Sequence, residues 1–121
     1  METVLYYEPL PLRNPEALAS LLRRHGLRVV QVPRDQVGQS VGFLAGYRGF
    51  SPRTGPGAPP KDRILVFCEV PEDTLDAVLE DLKRTEAPPA LKAILTGTNA
   101  SWSFQHLAQE LSSEHQTMHG G

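Results

Sequence analysis

Apolar residues along the chain fall into two alternating patterns, short unbroken runs and stripes with helical spacing. The runs, typical of strands, lie at residues 4–7, 27–32, 64–68 and 91–95. Between and after them, apolar residues recur three and four positions apart, as on one face of a helix. The stripes comprise Ala17, Leu18, Leu21 and Leu22; Leu75, Val78, Leu79 and Leu82; and Phe104, Leu107, Ala108 and Leu111. The alternation predicts an α/β fold with four strand–helix repeats.

The ends of these helices carry the expected signals. Asn14-Pro15-Glu16 supplies a cap, a proline and an acid at the start of the first helix, and Gly26 suits its end. The third predicted helix starts at Pro71. A shorter helix is predicted over 35–45, although Gly38 and Gly42 each cost it about 1 kcal/mol. We therefore expect close packing of this helix on a neighbouring backbone.

The middle of the chain is rich in glycine and proline, which fill eight of the fifteen positions from 46 to 60. This composition predicts a flexible or polyproline-like connector over 47–60 between the halves 1–46 and 61–115. Residues 1–115 then form one α/β domain, and 116–121 form a flexible tail. One break between two similar halves favours a two-layer, ferredoxin-like split βαβ sheet. The alternative is a small doubly wound sheet with four parallel strands.

Composition limits the functions that suit this chain. It has 121 residues, 40% of them apolar, a mean hydropathy of −0.30 and no run long enough to span a membrane. We expect no secretory leader, no membrane contact and a cytoplasmic location. A net charge of −2 makes a nucleic-acid partner unlikely. Arg48 and Arg53 in the connector, with Lys61 and Arg63 just after it, are weak evidence for an RNA contact.

The loop after the fourth strand is the main candidate site. Thr96, Thr98, Asn99 and Ser101 lie between a strand and a helix, where α/β sheets often bind anions. Two interpretations stay open. These side chains bind a small anionic ligand, or they cap the following helix while Trp102 packs beside it.

Other reactive residues lack partners in the sequence. Cys68, the single cysteine, follows an apolar run and is expected to be buried and inert. His115 and His119 have a spacing that suits a metal, but no third ligand is evident, so no metal and no cofactor are predicted. The acidic residues of the third helix fit a solvated face, and a docking surface for a basic partner is the less favoured interpretation.

Three stretches of the sequence resemble a known family. They are Val4–Tyr7, the run Val41-Gly42-Phe43-Leu44-Ala45-Gly46 followed by Gly49-Phe50, and Leu91–Asn99 followed by Trp102. In these the chain resembles the bacterial domain of unknown function 3783, in which proline usually stands at the position of Gly97. The resemblance implies a cytoplasmic protein and marks the same Thr96–Asn99 loop, but it implies no reaction.

No catalytic set of residues is evident, so we expect a non-enzymatic regulatory or protein-interaction module, with a homodimer or another protein as partner. The alternative function is binding of a small anionic metabolite or nucleotide at the Thr96–Asn99 loop. An enzyme is less favoured, because it would need groups from separate segments, such as His106 beside Asn99.

Overall fold

A computed structural model describes residues 2–9, 15–53, 57–85 and 89–119. Four strands form one sheet: β1 (Thr3–Tyr7), β2 (Arg28–Gln31), β3 (Ile64–Cys68) and β4 (Leu91–Ile94). The four α-helices are α1 (Pro15–Arg24), α2 (Val41–Leu44), α3 (Glu72–Arg84) and α4 (Phe104–His119). Short 3₁₀ helices cover Arg34–Gln36 and Asn99–Ser101. The predicted α/β class and the positions of all four strands are confirmed.

The sheet is mixed, and its strand order is β2-β1-β3-β4. β1 pairs in parallel with β2, with Thr3 opposite Arg28, and β3 pairs in parallel with β4. The two central strands run antiparallel, with Leu5 opposite Val66. The sheet therefore consists of two βαβ units joined along one antiparallel pair.

This order differs from both predicted topologies. In a split βαβ sheet, a strand from the other half separates the two strands of each unit, but here β1 and β2 pair directly. In a doubly wound sheet all four strands are parallel, but β1 and β3 are antiparallel. The sequence pattern located the strands, but strand order depends on which edges meet in space, and that pairing leaves no local pattern.

Both central strands are buried on both faces, which explains their unbroken apolar runs. On one face, Leu18, Leu21 and Leu22 of α1 and Val78 and Leu82 of α3 pack on the sheet. On the other face, residues of α4, α2 and the segment before α2 pack on the alternate side chains of β1 and β3. Helices thus cover the sheet from both sides.

The prediction of a single helix over 35–45 is wrong. The segment forms the 3₁₀ helix Arg34–Gln36 and then α2, which begins after Ser40. Ser40 Oγ accepts a hydrogen bond from Phe43 N at 3.2 Å, so the serine caps a new helix where the predicted one would continue. The close contact expected at Gly42 is present, but a Cβ there would lie 2.6 Å from the Phe50 ring rather than against a backbone.

The described parts of the Gly/Pro-rich segment contact the rest of the fold. The Gln39 side chain donates to Arg53 O at 2.8 Å and accepts from Arg53 N at 2.7 Å. Tyr7 OH donates to Pro60 O at 2.9 Å. The predicted cap Asn14, residues 54–56 and the end of the predicted tail, 120–121, lie outside the described residues. The division into halves, connector and tail stays a prediction.

Candidate functional site

The loop after β4 is held by reciprocal hydrogen bonds between Thr96 and Asn99. Thr96 N donates to Asn99 Oδ1 at 2.9 Å, and Asn99 N donates to Thr96 Oγ1 at 3.1 Å. This is the arrangement of a capping box, with asparagine in place of the usual glutamate or glutamine. The two predicted site residues are therefore brought together, and each satisfies the backbone of the other.

The Asn99 side chain faces into the protein. Its Nδ2 donates to Ile94 O at 3.1 Å, so the amide ties the turn back to the end of β4. Asn99 is only 9% exposed. Both ends of its carboxamide thus bond to backbone groups of the same loop, and leaving those groups without a partner would destabilise the fold.

Thr98 and Ser101, the other two predicted site residues, are exposed and do not join this network through their side chains. Thr98 precedes the 3₁₀ helix without making a side-chain cap bond. Ser101 contributes its carbonyl oxygen, which accepts a hydrogen bond from Arg53 Nη2 at 2.5 Å. The structure therefore places the four residues in one turn but joins only Thr96 and Asn99.

The start of α4 holds the aromatic residues of this region. Ser103 Oγ caps the helix by accepting a hydrogen bond from His106 N at 3.0 Å. The rings of Trp102 and His106 stack with their centroids 4.4 Å apart. His106 Nε2 also lies 3.5 Å from a carboxylate oxygen of Glu110. The histidine thus has a stacking partner and a carboxylate neighbour on its own helix.

Cys68 ends β3 and is fully buried, as predicted. Burial, with a smaller contribution from the Glu69 charge, raises the pKa of its thiol to about 12. The thiolate is the reactive form, so Cys68 is a poor nucleophile at neutral pH. Among the described residues, no group of three potential metal ligands lies close enough to hold an ion. The side chains of His115 and His119 lie outside the described part.

Two of the four basic residues in and just after the connector are engaged within the fold. Arg63 forms a half-buried ion pair with Glu8, with its Nε 2.6 Å from Oε2, and also donates to Pro89 O. Tyr6 OH donates to the same carboxylate at 2.8 Å. Burial and this bond to Glu8 raise the pKa of Tyr6 to about 12. Arg53 holds Ser101, as described above. These contacts explain Arg53 and Arg63 without RNA.

The outer edge of β4 is a feature that the apolar pattern did not predict. Ile94 is 56% exposed, and it is the one exposed large apolar side chain among the described residues. Its neighbour on the same face, Lys92, donates to Ala90 O at 3.1 Å. Leu91–Leu95 was interpreted only as a strand. The lysine inside this apolar run is the signal that it is an edge strand, because edge strands often carry lysine.

The comparison with protein families bears on the second half of the chain. The family model described as Domain of unknown function (DUF3783) matches residues 63–118. This part of the chain is similar to that family. The DUF3783 stretch begins just before β3 and includes α3, β4, the Thr96–Asn99 loop and α4, so it contains both the turn and the exposed edge. The resemblance to this family is confirmed for those residues.

The other comparisons add no relative, since no curated protein and no solved structure matches the chain. None of the helices in the described residues is both long enough and apolar enough to cross a membrane.

Proposed function

We propose that the chain is a non-enzymatic protein-interaction module whose β4 edge pairs with the same edge of a second copy. The observation that carries this proposal is the exposure of Ile94 in a strand at the edge of the sheet. An exposed apolar residue beside free backbone hydrogen-bonding groups is what an added strand covers and satisfies.

The hydrogen bonds between β3 and β4 determine which backbone groups face outward. Leu91 N donates to Arg63 O and Leu95 N to Phe67 O, so the odd-numbered residues face β3. In a strand, the N–H and C=O of one residue point to the same side, and neighbouring residues alternate. Lys92 and Ile94 therefore direct their backbone groups away from the sheet.

One antiparallel register fits this edge best. With Ala93 opposite Ala93 of the second copy, Lys92 lies opposite Ile94 and exchanges two hydrogen bonds with it, twice in the dimer. The lysine stem then covers the exposed isoleucine while its ammonium group stays in water. A register with Lys92 opposite Lys92 would place like charges together and use Ala90 O, which already accepts from Lys92.

The favoured register also suits the other face of the sheet. It places Leu91 opposite Leu95 of the second copy, and both side chains already pack against the apolar cluster beneath α4. Pairing would extend the four-stranded sheet to eight strands. Since the edge is short, we expect a weak dimer that forms at high protein concentration.

Sedimentation velocity over a range of protein concentrations tests the proposal with a matched pair of variants. Ile94→Lys should keep the chain monomeric, because it removes the apolar contact and opposes two lysines. Gln31→Lys adds the same charge to the exposed end of β2, the other edge, and should leave association unchanged. A wild type that stays monomeric at every concentration, or equal loss in both variants, would contradict the proposal.

A disulfide tests the register itself. Ala93→Cys should form a covalent dimer under mild oxidation, because opposite residues in a non-hydrogen-bonded antiparallel pair have Cα atoms about 4.5 Å apart, within the range for a disulfide. Gln31→Cys is the control on the other edge and should stay monomeric. Cys68 is too buried to interfere. Cross-linking through Gln31→Cys alone would place the interface on β2.

The alternative function, an anion site at Thr96, Thr98, Asn99 and Ser101, remains a prediction with less support. The Thr96 and Asn99 side chains already bond to the loop's own backbone. A thermal-shift screen with anionic metabolites distinguishes the two interpretations. A ligand that stabilises the wild type but not Asn99→Ala would favour the anion site, whereas a variant that is merely less stable would show a structural role.

A further inference from the structure

The outer edge of β2 is the second open edge of the sheet, on the side opposite to β4. The backbone N–H groups of Arg28 and Val32 donate to carbonyl oxygens in and just before β1, so the even-numbered residues of β2 face β1. Because neighbouring residues of a strand alternate in direction, Val29 and Gln31 direct their N–H and C=O groups away from the sheet. These four backbone groups form the row that an added strand would bond to.

The side chains of this edge suit strand pairing on both faces of the sheet. Val29 packs on the side of α1 and α3, Val30 packs on the side of α4, and both stay partly exposed. An apolar residue of an added strand opposite each valine would complete its burial. Unlike β4, which carries Lys92, the four residues of β2 include neither lysine nor proline, the residues that commonly protect an edge.

The charge beside this edge indicates which kind of strand fits it. Residues 15–31, which form α1 and β2, contain three arginines and one carboxylate, Glu16, which pairs with Arg23. The side chains of Arg24 and Arg28 are exposed, and no described residue forms a hydrogen bond or an ion pair with either. The start of β2 therefore carries positive charge, which favours a peptide with a carboxylate at that end.

Two carboxylates at the same end of the sheet lie away from an added strand. Glu2 precedes Thr3, the residue opposite Arg28, so its side chain points to the other face of the sheet. Glu69 lines a groove with Arg28, but it follows β3, which lies three strand spacings, about 14 Å, from a strand added to β2. Salt weakens repulsion over that distance, so Arg28 is the charge that the added strand meets directly.

We propose that the β2 edge binds an extended acidic peptide of a partner protein as a fifth strand, antiparallel to β2. Val29 and Gln31 each exchange two backbone hydrogen bonds with the peptide residue opposite. The peptide residues opposite Val30 and Val29 are apolar, and the next residue toward the peptide's C-terminus is a glutamate or aspartate opposite Arg28. This last position is a non-hydrogen-bonded pair, in which opposite side chains lie closest. The proposed dimer uses the other edge of the sheet and is independent of this contact.

Titration of ¹⁵N-labelled protein with acetyl-Ser-Thr-Val-Val-Glu-Thr-Ser-amide, followed by amide chemical shifts, tests the site. Saturable shifts are expected at residues 28–32. The same peptide with glutamine in place of glutamate should bind about threefold more weakly, the effect of one exposed cross-strand charge pair. Exchanging the glutamate with the first threonine moves the carboxylate to the opposite end of the strand, and this peptide should bind no better than the glutamine peptide.

Two pairs of variants separate the charge from the backbone pairing. Arg28→Gln should bind the glutamate and glutamine peptides equally, whereas Lys83→Gln, which removes the same charge at the end of α3 near β4, should keep the threefold preference. Gln31→Pro removes an outward N–H group without breaking a bond of the sheet and should weaken binding about tenfold. Gln31→Ala keeps that N–H group and should bind like the wild type.

Several results would overturn the proposal. They are shifts that do not saturate, saturable shifts confined to the β4 edge, stronger binding of the peptide with the exchanged glutamate, and an unchanged preference in Arg28→Gln. Shifts at residues 28–32 that depend on protein concentration without peptide would also overturn it, because a second copy would then occupy this edge. The amide spectrum of each variant without peptide shows whether it is folded. A monomeric chain that binds the peptide at β2 would contradict the dimer but not this site.

Discussion

The two βαβ halves of the molecule have the same plan but different outer edges. In both halves a parallel strand pair is joined by a helix, and both helices pack on the same face of the sheet. The edge formed by β2 exposes Arg28 and Gln31 at its ends, whereas β4 exposes Lys92 and Ile94. The two halves thus share a backbone arrangement, but their edge strands expose different side chains, which determine what each edge can contact.

The turns that follow the two halves differ in the same way. After β2, the Ser40 side chain caps α2 with one bond, whereas after β4 Thr96 and Asn99 form a closed network. The turns also contact each other, since Val41 N donates to Trp102 O at 2.9 Å and Phe104 N to Gln39 O. Substitutions that remove hydrogen bonds or ion pairs from each half in turn measure how much the two halves differ in their contribution to stability.

Breaking the Arg63–Glu8 ion pair, which joins the two halves, should have the largest effect on stability. Arg63→Met leaves Glu8 half-buried without its cation and removes the bond to Pro89 O. We expect a loss of about 3 kcal/mol in the free energy of unfolding, measured by urea denaturation. The control Arg23→Met breaks an exposed pair with Glu16 inside one half and should cost less than about 0.5 kcal/mol. Equal losses would show that the junction is not special.

Asn99→Ala should cost about 2 kcal/mol, because it leaves Thr96 N and Ile94 O without their partner in a part-buried turn. Thermal unfolding measures the loss. Thr98→Ala changes an exposed neighbour that makes no cap bond and should have almost no effect. Comparable effects of the two substitutions would show that the network does not hold the turn.

Ser40→Ala should cost about 1 kcal/mol, since it removes one cap bond at the start of α2. The same thermal unfolding experiment ranks the two turns directly. If Ser40→Ala destabilises the protein more than Asn99→Ala does, the turn after the first half is the more important one.

The smallest effect is the acid dependence of Asp81, which bonds to His25 and so links α3 to the end of α1. Hydrogen bonds from Arg84 and then His25 lower the pKa of Asp81 below its usual 3.8. A lowered carboxyl pKa adds stability that is complete above pH 3.8 and is lost as the pH falls through the folded-state value. Asp81→Asn should therefore flatten the fall in stability below about pH 4, as measured by urea denaturation at several pH values. Asp76→Asn on the exposed face of α3 is the control, and an identical slope in both variants would contradict the link.

The spacing of apolar residues was enough to predict helices and strands that form whatever their neighbours in the fold are. The strand Ile64–Cys68 is buried on both faces, and its apolar residues are therefore consecutive. Helix α3 is buried on one face, and its apolar residues therefore recur three and four positions apart. The break at Ser40 was missed because the valines around it keep a helical spacing. The 3₁₀ helix is followed by a contact between distant residues, from Gln39 to Arg53, and by a local one, the Ser40 cap of a second helix.

The site was predicted only as a location. Thr96 and Asn99 are the same residues in a cap and in a ligand site, and the direction of their hydrogen bonds decides between the two. A surface groove lined by Arg28, Tyr47, Arg48 and Glu69 was not predicted either. These residues come from segments that are far apart in the chain, and only the tertiary fold brings them together.

The antiparallel pairing of β1 with β3 also has a consequence for the order of folding. Each parallel pair joins strands separated by a single helix, but Thr3 pairs with Cys68 across the whole connector. Closing that long loop costs chain entropy before any contact compensates for it, and distant pairings of this kind slow folding. We therefore expect each half to gain structure early, and we expect the pairing of β1 with β3 to limit the folding rate. Substitutions in Val66, at that seam, would slow folding, whereas those in the outer helices would mainly speed unfolding.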